Sequence, residues 1–287
     1  MRIRNKTPDR HPEYTTVGSD RVLTWIVLFS VLFGISCNFN AAKPGKQVLV
    51  TEGLSGNRVD GYWLYLPKNY DETKKYPVIL FLTGGLGVSS QKIDAKHDGP
   101  AKFAIQEFPD PEIAAMVQDS FIIINPHLDI GPPETKGWHH HTETLFNIVE
   151  EVSATYSGDL NRVILTGLSH GAGGSWEIAK THSDKIAALI PIAGRIKCEN
   201  DCDNIGDTPF WIIHNKDDDR VSVRYAEEVF DHLTNNKTLN LEQKESIDSV
   251  PKSEFVYSVI NESGHDAWNP AYSNPNIYKW LLEQTRN

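Results

Sequence analysis

Short apolar runs alternate with amphipathic segments along most of the chain. The runs Tyr76–Leu82 and Val163–Leu165 are apolar throughout, as is typical of strands covered on both faces of a sheet. Between Thr142 and Tyr156, apolar side chains recur at the spacing of one helical face, and the glutamates fall elsewhere. This alternation predicts an α/β fold with a mostly parallel central sheet and helices on both faces.

The apolar pattern and the turn residues between the runs give approximate element bounds. The predicted strands are Gln47–Thr51, Gly61–Leu66, Tyr76–Leu82, Phe121–Ile124, Val163–Leu165, Ala187–Ala193, Pro209–His214 and Glu254–Ile260. The predicted helices are Ile93–Glu107 with a break at Gly99 and Pro100, Thr142–Tyr156, the segment after Ser169, Val223–Leu233, and Ile277–Leu282 with Asn274 as its cap. In such a sheet, reactive groups belong at the carboxyl ends of the strands.

The first 40 residues differ from the rest of the chain. A polar stretch precedes the charge-free apolar run Val22–Ser36, which suits the core of a secretory signal and is short for a membrane span of roughly 20 residues. The small residues just before Cys37 are similar to the lipobox of bacterial lipoproteins, whose cysteine carries a lipid. We therefore expect an exported protein with a leader over residues 1–40 (signal peptide, lipoprotein signal or membrane anchor) and one folded domain over residues 41–287.

Charge narrows the range of partners. The chain has 287 residues, a net charge of -10 and a pI near 5.5, which argues against a nucleic acid or an anionic membrane surface as partner, since both need a basic face. We expect a small molecule or a neutral polymer as substrate.

The cysteines give a second, weaker indication of export. Cys198 and Cys202 lie four residues apart and can form a local disulfide, leaving Cys37 over; two unpaired thiols are the alternative. Closing so short a loop removes little chain entropy, so this bridge would fix the shape of the loop more than the stability of the fold.

The triplet His139–His141 raises the question of a metal site. Consecutive side chains point in different directions in a helix or a strand, and three in a row rarely bind one ion. A solvated turn or helix start and the lining of a substrate cleft are the other interpretations. We expect no metal and no cofactor.

The strongest chemical signal is the segment Asn161–Trp176, which reads NRVILTGLSHGAGGSW. Gly167, Ser169 and Gly171 fit the pattern G-x-S-x-G directly after an apolar strand, the nucleophile elbow. A serine on a sharp strand-to-helix turn requires small residues on both sides, and the N–H groups at the helix start face the point where negative charge develops in acyl transfer. Ser169 is thus the candidate nucleophile.

A serine hydroxyl needs a histidine to accept its proton and a carboxylate to orient that histidine. On this fold the acid follows a later strand, and the histidine comes after the last strand. The loop after Pro209–His214 contains Asp217, Asp218 and Asp219, and the spacing alone does not choose among them. His265 follows the last predicted strand, directly after a glycine, and is the candidate base.

An oxyanion hole needs two backbone N–H donors, one after the nucleophile and one from the loop after an early strand. His170 provides the first. Gly85 or Leu86, in the glycine-rich loop Thr83–Gly87, is the candidate for the second.

Three separated motifs resemble a known group of enzymes. Residues 62–87, the elbow, and residues 264–284 together resemble bacterial α/β-hydrolases of the phospholipase/carboxylesterase and polyhydroxybutyrate-depolymerase-like group, which includes feruloyl and acetylxylan esterases and proteins labelled predicted peptidases. The resemblance covers roughly residues 47–285. It implies that residues 41–287 form an α/β-hydrolase catalytic domain, and that the protein is a serine ester hydrolase that works through an acyl-enzyme without a cofactor.

The same resemblance selects among the aspartates. In this group the acid stands four places after a strand-closing histidine and three before a valine, which selects Asp218 between His214 and Val221. Two positions depart from the group: Thr83 replaces a histidine in the first oxyanion loop, and His170 replaces the usual methionine or glutamine. A peptidase with the same triad and a surface binding protein with a decayed site remain the alternatives.

Overall fold

A nine-stranded sheet runs through the protein, whose computed structural model describes residues 42–54, 58–85, 99–105, 111–129, 137–198, 201–236 and 239–286. The strands are β1 (Gln47–Val50), β2 (Val59–Tyr65), β3 (Tyr76–Leu82), β4 (Ile122–Leu128), β5 (Gly158–Leu168), β6 (Ala188–Ile192), β7 (Phe210–Asp217), β8 (Leu241–Lys244) and β9 (Phe255–Ser263). Their order is β1-β2-β4-β3-β5-β6-β7-β9-β8. Only β2 pairs antiparallel, with β1 and β4, and the other pairings in the described sheet are parallel. The predicted mostly parallel sheet is confirmed.

Helices connect these strands. They are α1 (Pro100–Ile105), α2 (Pro111–Ser120), α3 (Thr142–Thr155), α4 (His170–His182), α5 (Arg224–Asn236), α6 (Trp268–Tyr272) and α7 (Pro275–Glu283). The Asn274 side chain accepts a hydrogen bond from the Asn276 N–H at 2.9 Å, so the predicted cap of α7 is present.

The alternation of side chains along β3 explains why helices cover both faces. All seven residues of this strand are buried. Val78 and Leu80 belong to one hydrophobic cluster, together with residues of α3, α4 and α5. Ile79 and Phe81 belong to a second cluster, with residues of α1, α2 and α7. Successive side chains of a strand point to opposite faces, so a strand without polar positions needs two helical layers.

One strand and two α-helices of the described residues were not predicted. Strand β8 has only four residues, is rich in polar side chains and lies at the edge of the sheet, so it carries no apolar run. Helices α2 and α6 were also missed. Helix α1 begins at the predicted break at Pro100, and the predicted helical residues 93–98 and 106–107 lie outside the described part.

None of the described helices is both long enough and apolar enough to cross a bilayer. The apolar run Val22–Ser36 and Cys37 lie outside the described residues. The leader and the boundary at residue 41 therefore stay predictions.

The parallel strands bring the candidate residues to one edge of the sheet. Ser169 directly follows β5, Asp218 directly follows β7, and His265 follows β9 by two residues. Because the carboxyl ends of parallel strands meet at the same edge, this order places all three at that edge of the described sheet.

Candidate active site

Ser169 lies on the turn between β5 and α4 in a conformation that few non-glycine residues adopt, with φ 52° and ψ −114°. The turn is tight because α4 packs directly on β3 and β5. A Cβ added at Gly171 would overlap the carbonyl oxygen of Leu82 and lie 2.5 Å from that of Thr83, and one added at Gly167 would lie 2.5 Å from the Gly171 carbonyl oxygen. Both glycines are thus required by close backbone approach.

The three candidate catalytic side chains form a continuous hydrogen-bonded chain. The Ser169 Oγ lies 2.8 Å from His265 Nε2, and His265 Nδ1 lies 2.7 Å from the Asp218 Oδ2. The Asp218 side chain is fully buried, and the His265 side chain is 11% exposed. With Nδ1–H donating to Asp218, the Nε2 lone pair is directed at the serine hydroxyl.

Asp218 is held by its own loop. Its Oδ1 accepts hydrogen bonds from the backbone N–H groups of Arg220 and Val221, both at 2.9 Å. Burial alone would raise the pKa of this carboxyl, but the hydrogen bonds from Val221, His265 and Arg220 outweigh it and lower the pKa below its ordinary value. The Asp218 carboxyl group is therefore charged beside the His265 ring.

His214 closes β7 and supports this loop from inside. Its Nε2–H donates to the Val221 carbonyl oxygen at 2.9 Å and lies 3.2 Å from Asp218 Oδ2. Burial lowers the pKa of His214, so it is a neutral donor. Asp217 and Asp219 are exposed, which leaves Asp218 as the aspartate of the three that contacts His265.

Asn215 is a site residue that the sequence analysis did not identify. Its Nδ2 donates to the Gly264 carbonyl oxygen at 2.9 Å, and the Gly264 N–H donates to the Asp217 carbonyl oxygen at 3.0 Å. These bonds join the acid loop to the histidine loop. No motif distinguishes Asn215 from other polar residues at strand ends.

The loop after β3 passes beside Ser169, the candidate nucleophile. A Cβ at Gly84 would lie 3.6 Å from the Ser169 Cβ, and the Trp138 Nε1 donates to the Thr83 carbonyl oxygen at 3.2 Å. The Thr83 hydroxyl is buried and has no hydrogen-bond partner among the residues that the structure describes. His170 is the first residue of α4, and Gly85 follows β3, while Leu86 lies outside the described residues.

A cavity of about 440 Å³ opens on Ser169. Its lining includes Trp138, His139, His170, Glu177, Arg195 and Lys197. Burial lowers the pKa of His139, with His140 adding to the effect, and burial also lowers the pKa of His170.

The triplet His139–His141 lies in a 3₁₀ helix, Trp138–His141. His139 lines the cavity, and its ring centroid is 4.0 Å from that of His140. Within the described ranges, no three or more His, Cys, Asp or Glu side chains are grouped so as to hold a metal ion.

Aromatic side chains pack on both sides of the site. Trp138 is fully buried and also lines the cavity, so it belongs both to the hydrophobic core and to the wall of the candidate site. Trp268 is partly buried, and its ring meets the His265 ring edge-on at a centroid distance of 5.2 Å.

A disulfide joins Cys198 to Cys202 in the loop that follows β6, with Cα atoms 5.0 Å apart. Within this loop Asp201 Oδ2 lies 2.8 Å from the Lys180 Nζ of α4, so the loop is attached to the helix that carries the nucleophile turn.

No protein-family profile matches the chain. Feruloyl esterase D of Neurospora crassa is 26% identical over 174 residues, which cover 59% of each chain. The structure is similar to that of a thermostable esterase, with a TM-score of 0.63, 21% identity, and coverage of 84% of this chain and 63% of that one. It is also similar to a ferulic acid esterase of Anaeromyces mucronatus solved with ferulic acid, with a TM-score of 0.57, 20% identity, and coverage of 83% and 89%.

The curated relatives are matched over only part of their length, and the solved structures have low sequence identity to this chain. This chain spans about three fifths of the length of the curated relatives that it matches. The likeness to the solved structures concerns the fold, and the strand order and the nucleophile turn described above agree with it. The chain therefore has the α/β-hydrolase fold, and its sequence is similar to that of a feruloyl esterase.

Proposed function

We propose that this protein is a serine hydrolase that cleaves carboxylic esters. The observation that carries the proposal is the hydrogen-bonded chain from Ser169 Oγ through His265 to Asp218, with contacts of 2.8 and 2.7 Å. The sequence similarity to a feruloyl esterase supports the reaction class.

In the first half of the reaction, His265 Nε2 takes the proton of Ser169 as Oγ forms a bond to the ester carbonyl carbon. The carbonyl electron pair moves to oxygen, where the N–H groups of His170 and of Gly85 or Leu86 stabilise the negative charge. When this intermediate collapses, the bond to the alcohol oxygen breaks, and the alcohol leaves with the proton from His265. The acyl group stays on Ser169.

In the second half, water replaces the alcohol. His265 removes a proton from the water as its oxygen attacks the acyl-enzyme carbonyl, and then returns a proton to Ser169 Oγ as the acid leaves. The Asp218 carboxylate faces the imidazolium in both halves. Its lowered pKa keeps it charged under the conditions in which His265 carries the proton.

For the substrate we propose a small or polymer-linked ester, reached from solvent through the cavity beside Ser169. Ferulic acid is bound by one structural neighbour, so feruloyl esters are a reasonable first class to assay. We further propose that the protein works after export, because a disulfide such as Cys198–Cys202 persists in oxidising compartments.

The deciding experiment uses Ser169→Ala with Ser249→Ala, an exposed serine outside the cavity, as the matched control. We expect Ser169→Ala to abolish hydrolysis of p-nitrophenyl acetate and labelling by a fluorophosphonate probe while the circular dichroism spectrum is unchanged. The control should behave as wild type. Unchanged activity of Ser169→Ala would reject the proposal, and a preference for a peptide panel over an ester panel would make the protein a peptidase instead.

A further inference from the structure

We propose that the cavity beside Ser169 binds a carboxylate carried by the substrate, and that Arg195 is the residue that determines this specificity. The inference rests on the proposed ester hydrolysis and names the chemical class of its substrate: an ester whose acyl or alcohol part carries a second, free carboxylate.

The segment after β6 presents its cations on one side. Arg195 and Lys197 both line the cavity that contains Ser169, whereas Ile196 between them is 1% exposed and belongs to the hydrophobic core. Arg195 and Lys197 are exposed on either side of the buried Ile196, so the two cationic residues lie on the solvent side of this segment, where the cavity opens.

The backbone of this segment is fixed on both sides. A Cβ on Gly173 of α4 would lie 3.1 Å from the Arg195 carbonyl oxygen, which indicates tight packing on the helix. The Trp176 Nε1 donates to the Lys197 carbonyl oxygen at 3.1 Å, and the disulfide Cys198–Cys202 follows directly. The backbone that carries Arg195 is therefore already ordered before a ligand binds.

Arg195 has no carboxylate partner within the described part of the chain. Its guanidinium lies 5.1 Å from the centre of the Tyr225 ring, and no ion pair joins it to a carboxylate of the described residues. Glu177 also lines the cavity, but its Oε2 lies 3.0 Å from the Lys180 Nζ. In a protein with a net charge of -10, Arg195 places beside Ser169 a positive charge that no carboxylate of the described residues pairs with.

His170 adds a neutral donor to the same cavity. Its Nδ1 is buried and has no hydrogen-bond partner within the described part of the chain. Burial lowers the pKa of the ring, so one nitrogen carries the proton, and the tautomer with hydrogen on Nε2 avoids burying an unpaired N–H at Nδ1. An oxygen of a bound carboxylate can accept this hydrogen bond, while Arg195 contacts the charge.

The test compares pairs of esters that differ by one methyl group. For the acyl side the pair is mono-p-nitrophenyl adipate and its methyl ester, and for the alcohol side it is 4-acetoxybenzoate and its methyl ester. The value of kcat/KM is measured for wild type, Arg195→Gln and Arg224→Gln, with spontaneous hydrolysis subtracted. Arg224 is an exposed arginine outside the cavity lining, so the control removes the same charge elsewhere.

We expect wild type to prefer the carboxylate member of one pair by roughly tenfold, as for a hydrogen bond to a charged group. Arg195→Gln should abolish the preference, and Arg224→Gln should keep it. Equal rates within both pairs, or a preference that survives Arg195→Gln, would overturn the inference. The pair that responds identifies the side of the ester that enters the cavity.

A separate measurement distinguishes failure of this inference from failure of the proposed function. If wild type hydrolyses no ester and the fluorophosphonate probe does not label Ser169, the proposed function is wrong. Binding of adipate by calorimetry then decides the specificity. If wild type binds adipate, and Arg195→Gln weakens this binding roughly tenfold while Arg224→Gln leaves it unchanged, the carboxylate site is supported. If wild type does not bind adipate, the carboxylate site is refuted.

Discussion

Replacing Gly171 by alanine tests whether the nucleophile turn depends on the contact between α4 and the end of β3. The added Cβ would overlap the Leu82 carbonyl oxygen and lie 2.5 Å from the Thr83 carbonyl oxygen, where ordinary contact begins at 3.4 Å. Both obstacles are backbone atoms in a buried strand and the loop that follows it. Relief therefore requires the helix and the loop to separate by roughly 1 Å rather than a side chain to rotate.

The expected magnitudes follow from this geometry. Alanine is better than glycine in a helix by about 1 kcal/mol. Because the added Cβ meets two backbone oxygen atoms, the overpacking cost should lie near the upper end of its range, at about 3 kcal/mol. After the helix gain is subtracted, Gly171→Ala should lower the free energy of unfolding by about 2 kcal/mol. The same separation displaces the loop that would supply the second oxyanion donor, and a misplacement of about 1 Å can reduce the rate about a hundredfold.

Urea unfolding gives the stability, and kcat for p-nitrophenyl acetate gives the activity. Gly173→Ala is the matched control in the same helix, because its Cβ would meet only the Arg195 carbonyl oxygen within the tight range, at 3.1 Å. The free energy of unfolding of Gly173→Ala should stay within about 1 kcal/mol of that of wild type. The higher helix propensity of alanine offsets the cost of the close contact with the Arg195 carbonyl oxygen. A Gly171→Ala protein as stable and as active as wild type would refute the reasoning.

Three further predictions concern Asp218, His214 and the disulfide Cys198–Cys202. Asp218→Asn should lower kcat by about 10⁴-fold because His265 loses its orienting charge, whereas Asp219→Asn should remain active; a fully active Asp218→Asn would contradict the assignment. Burial lowers the pKa of His214, so the unfolded state binds more protons than the folded state below about pH 6.5. The free energy of unfolding should therefore have its full value above about pH 6.5 and decrease below it. Urea titrations that give the same free energy of unfolding from about pH 7 to pH 5 would contradict this prediction. Replacing Cys198 and Cys202 together by alanine should cost at most about 2 kcal/mol in urea unfolding, since the closed loop is short; a much larger loss would mean that the bridge stabilises more than its loop.

The sequence predicted those parts of the fold whose signal is local. Tyr76–Leu82 is apolar at every position because both its faces are covered, and the structure places β3 within the same bounds. The elbow was recognisable because Gly167 and Gly171 satisfy a steric requirement that few other residues meet. Strand β8 carries no such signal, because at the sheet edge its polar side chains reach solvent.

In the candidate site, too, the residues with a local sequence motif could be predicted, whereas those placed by packing between distant segments could not. Asp218 could be selected from the three aspartates only by resemblance, because its position depends on hydrogen bonds from Arg220 and Val221 that leave no trace in composition. The roles of Asn215 and Arg195 depend on which segments meet in space. Packing between distant parts of the chain decides this, and residue spacing does not encode it.

The position of β5 in the sheet links the nucleophile to the stability of the whole protein. This strand is fifth in the order of nine, between β3 and β6, and Ser169 follows it directly. In native-state hydrogen exchange, amides of such a central strand exchange through global unfolding, whereas those of an edge strand such as β8 exchange through local opening. Fluctuations at the edges of the sheet should then leave the geometry of Ser169 intact, so that the reactive conformation lasts as long as the folded state itself.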